Sequence, residues 1–292
     1  LRILRALRFA SVYGFSIEEN TSKSIFKNAD LLKNIATERV TSEFLKLTCG
    51  KDAVKILDAY RETIAVIIPE ITAMFNFNQN NIHHSYDLWQ HTLTALGTIE
   101  PNPILRMTML LHDIGKPPVK TTDNSGQSHF QGHQLESKKI ADKILHRLRL
   151  PSDFINKTLL LIEYHDVRFN GSKKLMKKVM NVLGTDLTKQ LLEVEYADIS
   201  AQSEYQREEK LGYLKTAKTH LDEIIKYNEC FKLSQLDING KDVLNLGVKE
   251  GRDVGNILDY LLMLVVDANV PNKKSILISK AEEYIYGNQI NK

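Results

Sequence analysis

The sequence predicts an all-α fold, and three observations support this prediction. Apolar residues recur at helical spacing in almost every segment, beginning with "LRILRALRFASVYGF" at the N-terminus. The stretches that break this pattern are short, and neither an internal repeat nor a low-complexity tract interrupts it. The 42% hydrophobic and 26% charged residues are typical of a globular protein that buries a core.

The first part of the chain is predicted to contain short amphipathic helices. The first helix ends at Gly14, a residue suited to a helix C-terminus. Ser16 and Glu19 have the spacing of a capping box, which predicts a second helix that continues to about Leu32. Two further helices follow, in "ATERVTSEFLKLT" and "DAVKILDAYRETIAV". The Asn-rich stretch "FNFNQNNIHHS" predicts a loop and a domain boundary, so that residues 1–80 form the first predicted domain.

Longer helices with strongly apolar faces are predicted in a middle domain, residues 81–205. They are interrupted by "PPVKTTDNSGQSHFQG", whose prolines and Gly126 predict a loop or a small hairpin. A charged helix, "EYQREEKLGYLKTAKTHLDEIIKYNE", leads into the last predicted domain, residues 206–292. That domain is predicted to have an Asn239–Gly240 turn and three helical pieces.

Cysteine usage and hydropathy indicate the compartment. Cys49 and Cys230 lie far apart and have no metal or redox spacing, which favours a reducing cytoplasm. No apolar run approaches the ~20 residues of a membrane span, so no membrane partner is expected. The formal net charge of +3 is too small to indicate a polyanionic partner by itself. The chain begins with Leu1, within a predicted helix, and is therefore expected to be part of a longer protein.

The apolar helix "ILDYLLMLVV" bears on the oligomeric state. It is hydrophobic on all sides, which favours burial within its own domain. Burial against a second copy of the chain is the alternative, so the sequence leaves both a monomer and a homodimer open.

Side chains that can bind a metal recur at the predicted helix ends and on apolar helix flanks. They are His91, His112, Asp113, His133, His165 and Asp198. A helical bundle can bring such side chains together at its centre. Mixed His and Asp ligands suit divalent ions such as Mg, Mn, Fe, Co, Ni or Zn, without distinguishing among them. Each residue alone is more often a hydrogen-bonded structural residue, so the interpretation depends on the ordered set.

This ordered set, with an apolar run before "HDIGK", resembles the HD superfamily of metal-dependent phosphohydrolases. The resemblance implies one ion with four ligands, His91, His112, Asp113 and Asp198, and a second ion bound with the help of His133 and His165. It implies catalytic roles for His112, Asp113 and Lys116, the last as a phosphate contact. A solvated lysine at a helix C-terminus is the alternative for Lys116.

The other polar residues near this set have less defined expected roles. Asp166 is expected either to pair with a ligand histidine or to be solvated. The remaining histidines are interpreted as structural or surface residues. Among them, His84 and His129 are the two most expected to line the cleft that holds the metal ligands.

The first helix carries Arg2, Arg5 and Arg8 at every third position, which gives a slanting basic stripe. Guanidinium groups suit phosphates and base edges, although a solvated helix face is the alternative. "LRILRALRFASVYGF" and "IATERVTSEFLKL" resemble the neck of class II tRNA nucleotidyltransferases, the CCA-adding enzymes, and of bacterial poly(A) polymerases. "DINGKDVLNLGVKEGRDVGNILD" resembles their tRNA-contacting tail. The resemblance implies that the three arginines bind a nucleotide, ATP or CTP, with Arg2 reading the base.

The family resemblance implies a parent protein that binds tRNA and adds CCA, part of CCA or poly(A). It also implies that this chain alone adds no nucleotides, because no Asp-x-Asp pair or Gly-rich loop of a transferase head lies in it. An HD domain with 2′,3′-cyclic phosphodiesterase or phosphatase activity is known in a subset of the family. The alternatives are an RNA-binding scaffold with a non-catalytic HD site, and a free-standing HD nucleotide phosphohydrolase.

Overall fold

The structure is a computed structural model, and it describes residues 1–81, 83, 86–248 and 251–289, with only the backbone of residues 288 and 289. Within these residues almost all regular structure is α-helical, which confirms the predicted all-α class. Two short strands, β1 (Thr121–Thr122) and β2 (Ser128–His129), pair antiparallel and form the small hairpin expected in that segment. Among the described helices, none combines the length and the hydrophobicity that a bilayer span requires.

The described chain divides into two compact units. The first contains Leu1–Arg168 and Gln190–Gly212, and the second contains Phe169–Lys189 and the chain from Tyr213 onwards. The predicted three-part division at residues 80 and 205 has other boundaries than these units and stays a prediction.

The first unit contains ten helices that lie wholly within it. They are α1 (Arg2–Tyr13), α2 (Glu19–Lys27), α3 (Thr37–Thr48), α4 (Ala53–Ala59), α5 (Arg61–Ala65), α6 (Leu88–Thr98), α7 (Pro103–Leu111), α8 (Lys116–Val119), α9 (His133–Arg147) and α10 (Ser152–Tyr164). Short 3₁₀ turns add Ala29–Asn34 and Pro69–Met74. Helix α10 packs on α9 and α7, and α7 also packs on α6. These contacts bring the predicted ligand helices together.

Two long helices belong partly to each unit. They are α11 (Lys173–Ala201), interrupted at Gly184, where φ is 70°, and α12 (Arg207–Lys226). The second unit adds a 3₁₀ turn (Leu233–Gln235) and three helices, α13 (Gly240–Leu244), α14 (Arg252–Val266) and α15 (Lys274–Gln289). The predicted three helical pieces are therefore present. Asn239 caps α13 through a capping box with Asp242.

Helix α14 contains the apolar stretch "ILDYLLMLVV", and it packs inside the second unit. Ile257, Leu261 and Val265 lie in one core with Val243 of α13 and Leu277 of α15. Burial of these side chains supplies most of the favourable free energy of such a small helical core.

The start of α2 differs from the predicted capping box. Helix α1 ends at Gly14 in the left-handed conformation, as expected, but Glu18 rather than Ser16 caps α2. The Glu18 carboxylate accepts hydrogen bonds from the backbone N–H groups of Asn20 and Thr21, both at 2.9 Å. Ser16 lies two residues before the cap and is too short to reach these donors. The helix also ends earlier, at Lys27, and a 3₁₀ turn continues to Asn34.

Candidate metal centre

Six predicted side chains converge in the first unit, and they form two overlapping sets of possible metal ligands. The first ligand group consists of His91, His112, Asp113 and Asp198, and the second of Asp113, His133 and His165. Within each group one ligand atom per residue lies within 4.8 Å of every other. Asp113 belongs to both groups, which is the arrangement needed for a carboxylate shared by two ions.

Helix ends explain why these side chains meet. His112 follows the last residue of α7 and His165 follows the last residue of α10, while His133 is the first residue of α9. His91 lies on the buried face of α6, and Asp198 lies near the end of α11. Placing ligands at helix ends lets short turns aim several side chains at one point while the helices pack beside it.

All four imidazoles are oriented by backbone carbonyl groups. The Nδ1 atoms of His112, His133 and His165 each donate to the carbonyl oxygen three residues earlier, at 2.7, 2.9 and 2.6 Å. His91 Nδ1 donates to the carbonyl of Ala201 at 3.3 Å. A carbonyl oxygen only accepts, so the proton is on Nδ1 and the neutral ring presents its Nε2 lone pair. Metal-bound histidines in proteins are held in the same way.

The Nε2 atoms face carboxylate oxygens and one another. His91 Nε2 lies 2.9 Å from Asp198 Oδ1, and His112 Nε2 lies 3.2 Å from Asp113 Oδ2. His133 Nε2 and His165 Nε2 are 3.2 Å apart. Lone pairs that face each other at this distance repel unless a proton or a cation lies between them.

The chemistry of this donor set fits a divalent cation. His112 Nε2 and Asp113 Oδ1 are buried and have no hydrogen-bond partner of acceptable geometry among the described residues. Buried polar atoms are rarely left in this state without a ligand or water. Imidazole nitrogen and carboxylate oxygen together suit the borderline and hard divalent ions.

Asp113 also pairs with the lysine of the "HDIGK" turn. Lys116 Nζ lies 2.6 Å from Asp113 Oδ2 and donates to Gln79 Oε1 at 3.0 Å. All three side chains are buried, Lys116 with 5% of its surface exposed. The solvated lysine considered as an alternative is therefore not what the fold contains, and the expected phosphate contact of Lys116 stays a prediction.

In the metal-free protein, protons take the place of a cation. Burial disfavours the charged His112 ring, but the charges and hydrogen bonds of Asp113 and Asp198 outweigh it and raise the pKa of His112 to about 10. Burial also opposes ionisation of Asp113, yet His112 and Lys116 hold the pKa of Asp113 well below its usual range. Since metals bind the deprotonated imidazole, metal binding must release this proton and weaken as the pH falls.

Gly115 lets the "HDIGK" turn lie directly against α9. A Cβ atom at Gly115 would lie 2.3 Å from the backbone nitrogen of Ser137 and 2.6 Å from the carbonyl oxygen of His133. The Gly115 N–H donates to Ser137 Oγ at 2.9 Å. This contact fixes the distance between Asp113 and His133. Sequence reasoning did not find the role of Ser137, because the contact joins residues 22 positions apart.

The remaining predicted residues lie outside the two ligand groups. Arg2 and Arg5 are exposed on α1, whereas Arg8 is half-buried and pairs with Glu43 at 2.6 Å. His129 lies in β2, where its Nε2 contacts Asp123 Oδ2 at 2.7 Å. His84 falls outside the described residues.

Glu195 is a buried carboxyl group that sequence reasoning missed. It lies one helical turn before Asp198 on α11, with 5% of its surface exposed. Its Oε1 atom has no hydrogen-bond partner in the described part of the chain. Burial, with the negative charges of Asp198 and Asp166, raises the pKa of Glu195 well above its ordinary value. The spacing of apolar residues in "LLEVEYADIS" places Glu195 on an apolar helix flank, and this is the sequence signal that could have identified it.

Glu195→Gln is expected to stabilise the metal-free protein at neutral pH. The pKa of Glu195 is higher in the folded protein than in the unfolded one. Its carboxyl group therefore contributes fully to the free energy of unfolding below the unfolded pKa, and this contribution is lost as the pH rises through the folded pKa. Glutamine keeps the shape and cannot ionise, so its advantage in Tm should grow from pH 5 to pH 8. A difference of several degrees is expected, at about 2–4 °C for each kcal/mol. Thermal unfolding of both metal-free proteins at the two pH values measures it, and an advantage that shrinks with pH would contradict it.

Comparisons with known proteins give two family matches. Residues 14–75 match the family described as the probable RNA and SrmB-binding site of polymerase A. Residues 133–281 match the family described as putative domain 2 of tRNA nucleotidyltransferase. The second match covers half of the chain and includes His133, His165 and Asp198.

Curated relatives are longer than this chain. A CC-adding tRNA nucleotidyltransferase of Thermus thermophilus is 29% identical over 94% of this chain and 64% of its own length. A multifunctional CCA protein of Neisseria meningitidis is 32% identical over 63% of this chain and 45% of its own length. An A-adding tRNA nucleotidyltransferase of Deinococcus radiodurans is 30% identical over 58% of this chain and 42% of its own length. The chain thus spans about two fifths to somewhat under two thirds of these relatives.

A solved structure shares the fold. The Bacillus stearothermophilus CCA-adding enzyme in complex with CTP superposes with a TM-score of 0.67 at 19% identity. The match covers 100% of this chain and 63% of that one.

Proposed function

Because this chain belongs to the class II tRNA nucleotidyltransferase family and corresponds to its C-terminal region, we propose that it takes part in the synthesis or repair of tRNA 3′ ends. We propose further that its two ligand groups form a metal-dependent phosphohydrolase centre, of the 2′,3′-cyclic phosphodiesterase or phosphatase type. Nucleotide addition with CTP or ATP is proposed only together with a transferase head, whose carboxylate pair this sequence lacks. Relatives named for CC addition and A addition support the first proposal.

One observation carries the hydrolase proposal. Four imidazoles, each with Nδ1 held by a backbone carbonyl, direct Nε2 towards two carboxylates at the centre of the first unit. Side chains with only structural roles have no need for so many acceptor atoms at one point, where a cation or added protons must separate them.

The six ligand residues and Lys116 are proposed to have separate roles in this reaction. His91, His112, Asp113 and Asp198 would hold one ion, and His133 and His165, with Asp113, a second. A divalent ion in such a site polarises a phosphoryl oxygen and lowers the pKa of water. Lys116 balances the charge of Asp113 and presents a cation beside the bound phosphate. The buried helix ends keep the ligands fixed before substrate arrives, so little reorganisation is needed.

Hydrolysis of 2′,3′-cyclic AMP tests this proposal. Metal-stripped protein should be inactive, and turnover should return when Mn, Ni, Co, Mg or Zn is added in turn. The native metal would be indicated by the ion that restores turnover at the lowest concentration. No turnover of cyclic or monoester substrates with any of these ions would favour the RNA-binding scaffold instead.

We propose that α1 and the segment after it bind tRNA and the incoming nucleotide. The match of residues 14–75 to a probable RNA-binding family supports this proposal, as do the exposed guanidinium groups of Arg2 and Arg5. Arg8 is already paired with Glu43, so we assign it a smaller share of this binding.

Arg2→Gln and Arg5→Gln are each expected to weaken tRNA binding and to flatten its salt dependence. A lost phosphate contact should reduce the slope of log K against log salt by about 0.7–0.9. Filter binding or fluorescence anisotropy at several salt concentrations measures the slope. Lys139→Gln, which removes an exposed lysine of α9 that pairs with Glu136 and lies outside residues 14–75, is the matched control. Equal slopes for the wild type and both arginine variants would contradict the assignment.

A further inference from the structure

Three aromatic side chains form a row at the end of α1, and much of this row faces solvent. The ring centroids of Phe9 and Tyr13 are 5.8 Å apart, and those of Tyr13 and Phe15 are 5.5 Å apart. The ring planes within the two pairs are inclined by only 31° and 30°. Tyr13 has 54% of its surface exposed, and Phe15 has 63%. Single exposed apolar residues are common, whereas a contiguous exposed row indicates a surface that binds a partner.

Helix α1 and the turn after it explain why the three rings lie together. Phe9 and Tyr13 are four positions apart in α1, so their side chains share one face of the helix. Gly14 then adopts a φ of 76°, which ends the helix and places Phe15 beside Tyr13. Helix α1 packs on α3 and α4, which hold it in position. The aromatic row is therefore set in place before a partner arrives.

Guanidinium groups border one end of the aromatic row. The Cζ atom of Arg8 lies 4.2 Å from the centroid of the Phe9 ring, and that of Arg5 lies 5.8 Å from the same centroid. Arg8 also pairs with Glu43 at 2.6 Å, whereas Arg5 is exposed. An arginine over a ring holds its positive charge next to a surface on which bases can stack.

A lysine borders the other end of the row. A Cβ atom on Gly14 would lie 3.1 Å from Lys51 Nζ, so this ammonium group lies beside the turn that joins Tyr13 to Phe15. The same Cβ atom would lie 2.9 Å from Asp52 Oδ2, which offsets part of the charge. Counting both ends, three cations and two carboxylates border the row, so its surroundings are positive. A second copy of the chain would bring the same cations against one another, which favours a polyanion instead.

We propose that the row of Phe9, Tyr13 and Phe15 binds unpaired bases of an RNA strand by stacking, while Arg5 and Lys51 contact its phosphates. This proposal rests on the proposed tRNA binding by α1 and the segment after it, and it directs that binding to a single-stranded part of the tRNA. Proteins that bind single strands combine rings with cations in this way, because every base has a face that can stack. Bases inside a duplex are already stacked on their neighbours and cannot reach the rings.

Equilibrium binding of short labelled strands tests the proposal. The probes are an adenosine hexanucleotide, an abasic strand with the same number of phosphates, and a duplex of the same length. Wild-type protein should bind the hexanucleotide about 5- to 150-fold more tightly than the abasic strand, as one stacked base is worth. Tyr13→Leu and Phe15→Leu keep an apolar side chain but remove a ring, so each should lose most of this preference. Phe15→Trp restores a ring and should keep it.

The salt dependence separates stacking from phosphate contacts. The two leucine variants should keep the wild-type slope of log K against log salt, because they remove no charge. Lys51→Gln should weaken binding of the hexanucleotide and of the abasic strand alike, with a slope smaller by about 0.7. Tyr196→Leu is the matched control, because it removes a ring that is 52% exposed on α11, outside α1 and residues 14–75. It should bind all three probes as the wild type does.

The proposal is overturned if wild-type protein binds the hexanucleotide and the abasic strand equally, or if it prefers the duplex. It is also overturned if Phe15→Leu keeps the full preference for bases. Binding of intact tRNA by the same proteins separates this proposal from the one on which it rests. A base preference without tRNA binding would reject only the proposed tRNA binding, and tRNA binding without a base preference would reject only the stacking.

Discussion

Replacement of Asp113 by asparagine is expected to lower metal-dependent turnover more than about a thousandfold. Loss of one electrostatic group in an active site costs about 10²–10³ in rate, and Asp113 belongs to both ligand groups. Asparagine keeps the size of the side chain and removes its charge. Hydrolysis of 2′,3′-cyclic AMP at saturating metal measures the effect.

A loss of folding must be separated from this loss of chemistry. Asp113→Asn leaves the buried Lys116 without its carboxylate partner, which is expected to cost about 3–5 kcal/mol in the free energy of unfolding. The double variant Asp113→Asn/Lys116→Met removes that charge and should recover much of the stability while staying inactive. Asp222→Asn, on the exposed face of α12, is the matched surface control. An active Asp113→Asn protein with wild-type metal content would show that the ligand assignment is wrong.

Gly115→Ala is expected to have the second largest effect. Gly115 has a φ of −85°, which alanine can adopt, so backbone strain is not the cause. Instead, the added Cβ would lie 2.3 Å from the Ser137 nitrogen and push the "HDIGK" turn away from α9. We expect a loss of about 1–3 kcal/mol in the free energy of unfolding, the usual cost of overpacking. Because the turn carries Asp113 and α9 carries His133, the second ligand group should also widen and lose metal.

Urea unfolding and metal content of Gly115→Ala measure these two effects. Gly255→Ala provides the control, because Gly255 lies inside α14 and a Cβ there meets nothing within 4 Å. Wild-type stability and metal content in Gly115→Ala would show that the turn can move without cost, and that Asp113 and His133 do not need this spacing.

The predicted fold class rested on local signals, and local signals also explain how the ligands are oriented. His112, His133 and His165 are each aimed by the carbonyl three residues earlier, so their orientation depends on a single turn of chain. Helical periodicity placed these histidines at helix ends, and the order of the six residues, which resembles that of the HD superfamily, grouped them. The failed capping box is also local, because the predicted cap, Ser16, lies two residues before Glu18, whose carboxylate accepts from the free N–H groups.

Contacts between distant segments could not be predicted from the sequence. Nothing in the sequence indicates that Gly115 packs against another helix, yet its lack of a side chain is needed for the approach to Ser137. Lys210 looked like one charge on a charged helix, yet Gln202 connects it to Asp198. Glu195 could be placed on a helix face, but its unpaired burial depends on the packing of α11. Each of these contacts depends on the relative positions of helices, about which helical periodicity in the sequence carries no information.

Metal content is the measurement that tests the central claim most directly. Protein that has been stripped, reloaded with Mn²⁺ and desalted should retain two ions per chain by elemental analysis. The His133→Ala/His165→Ala double variant should retain one, and Asp113→Asn should retain none. A wild-type chain that retains no divalent ion, or variants that retain as much as the wild type, would contradict the assignment of the His and Asp cluster as a metal centre.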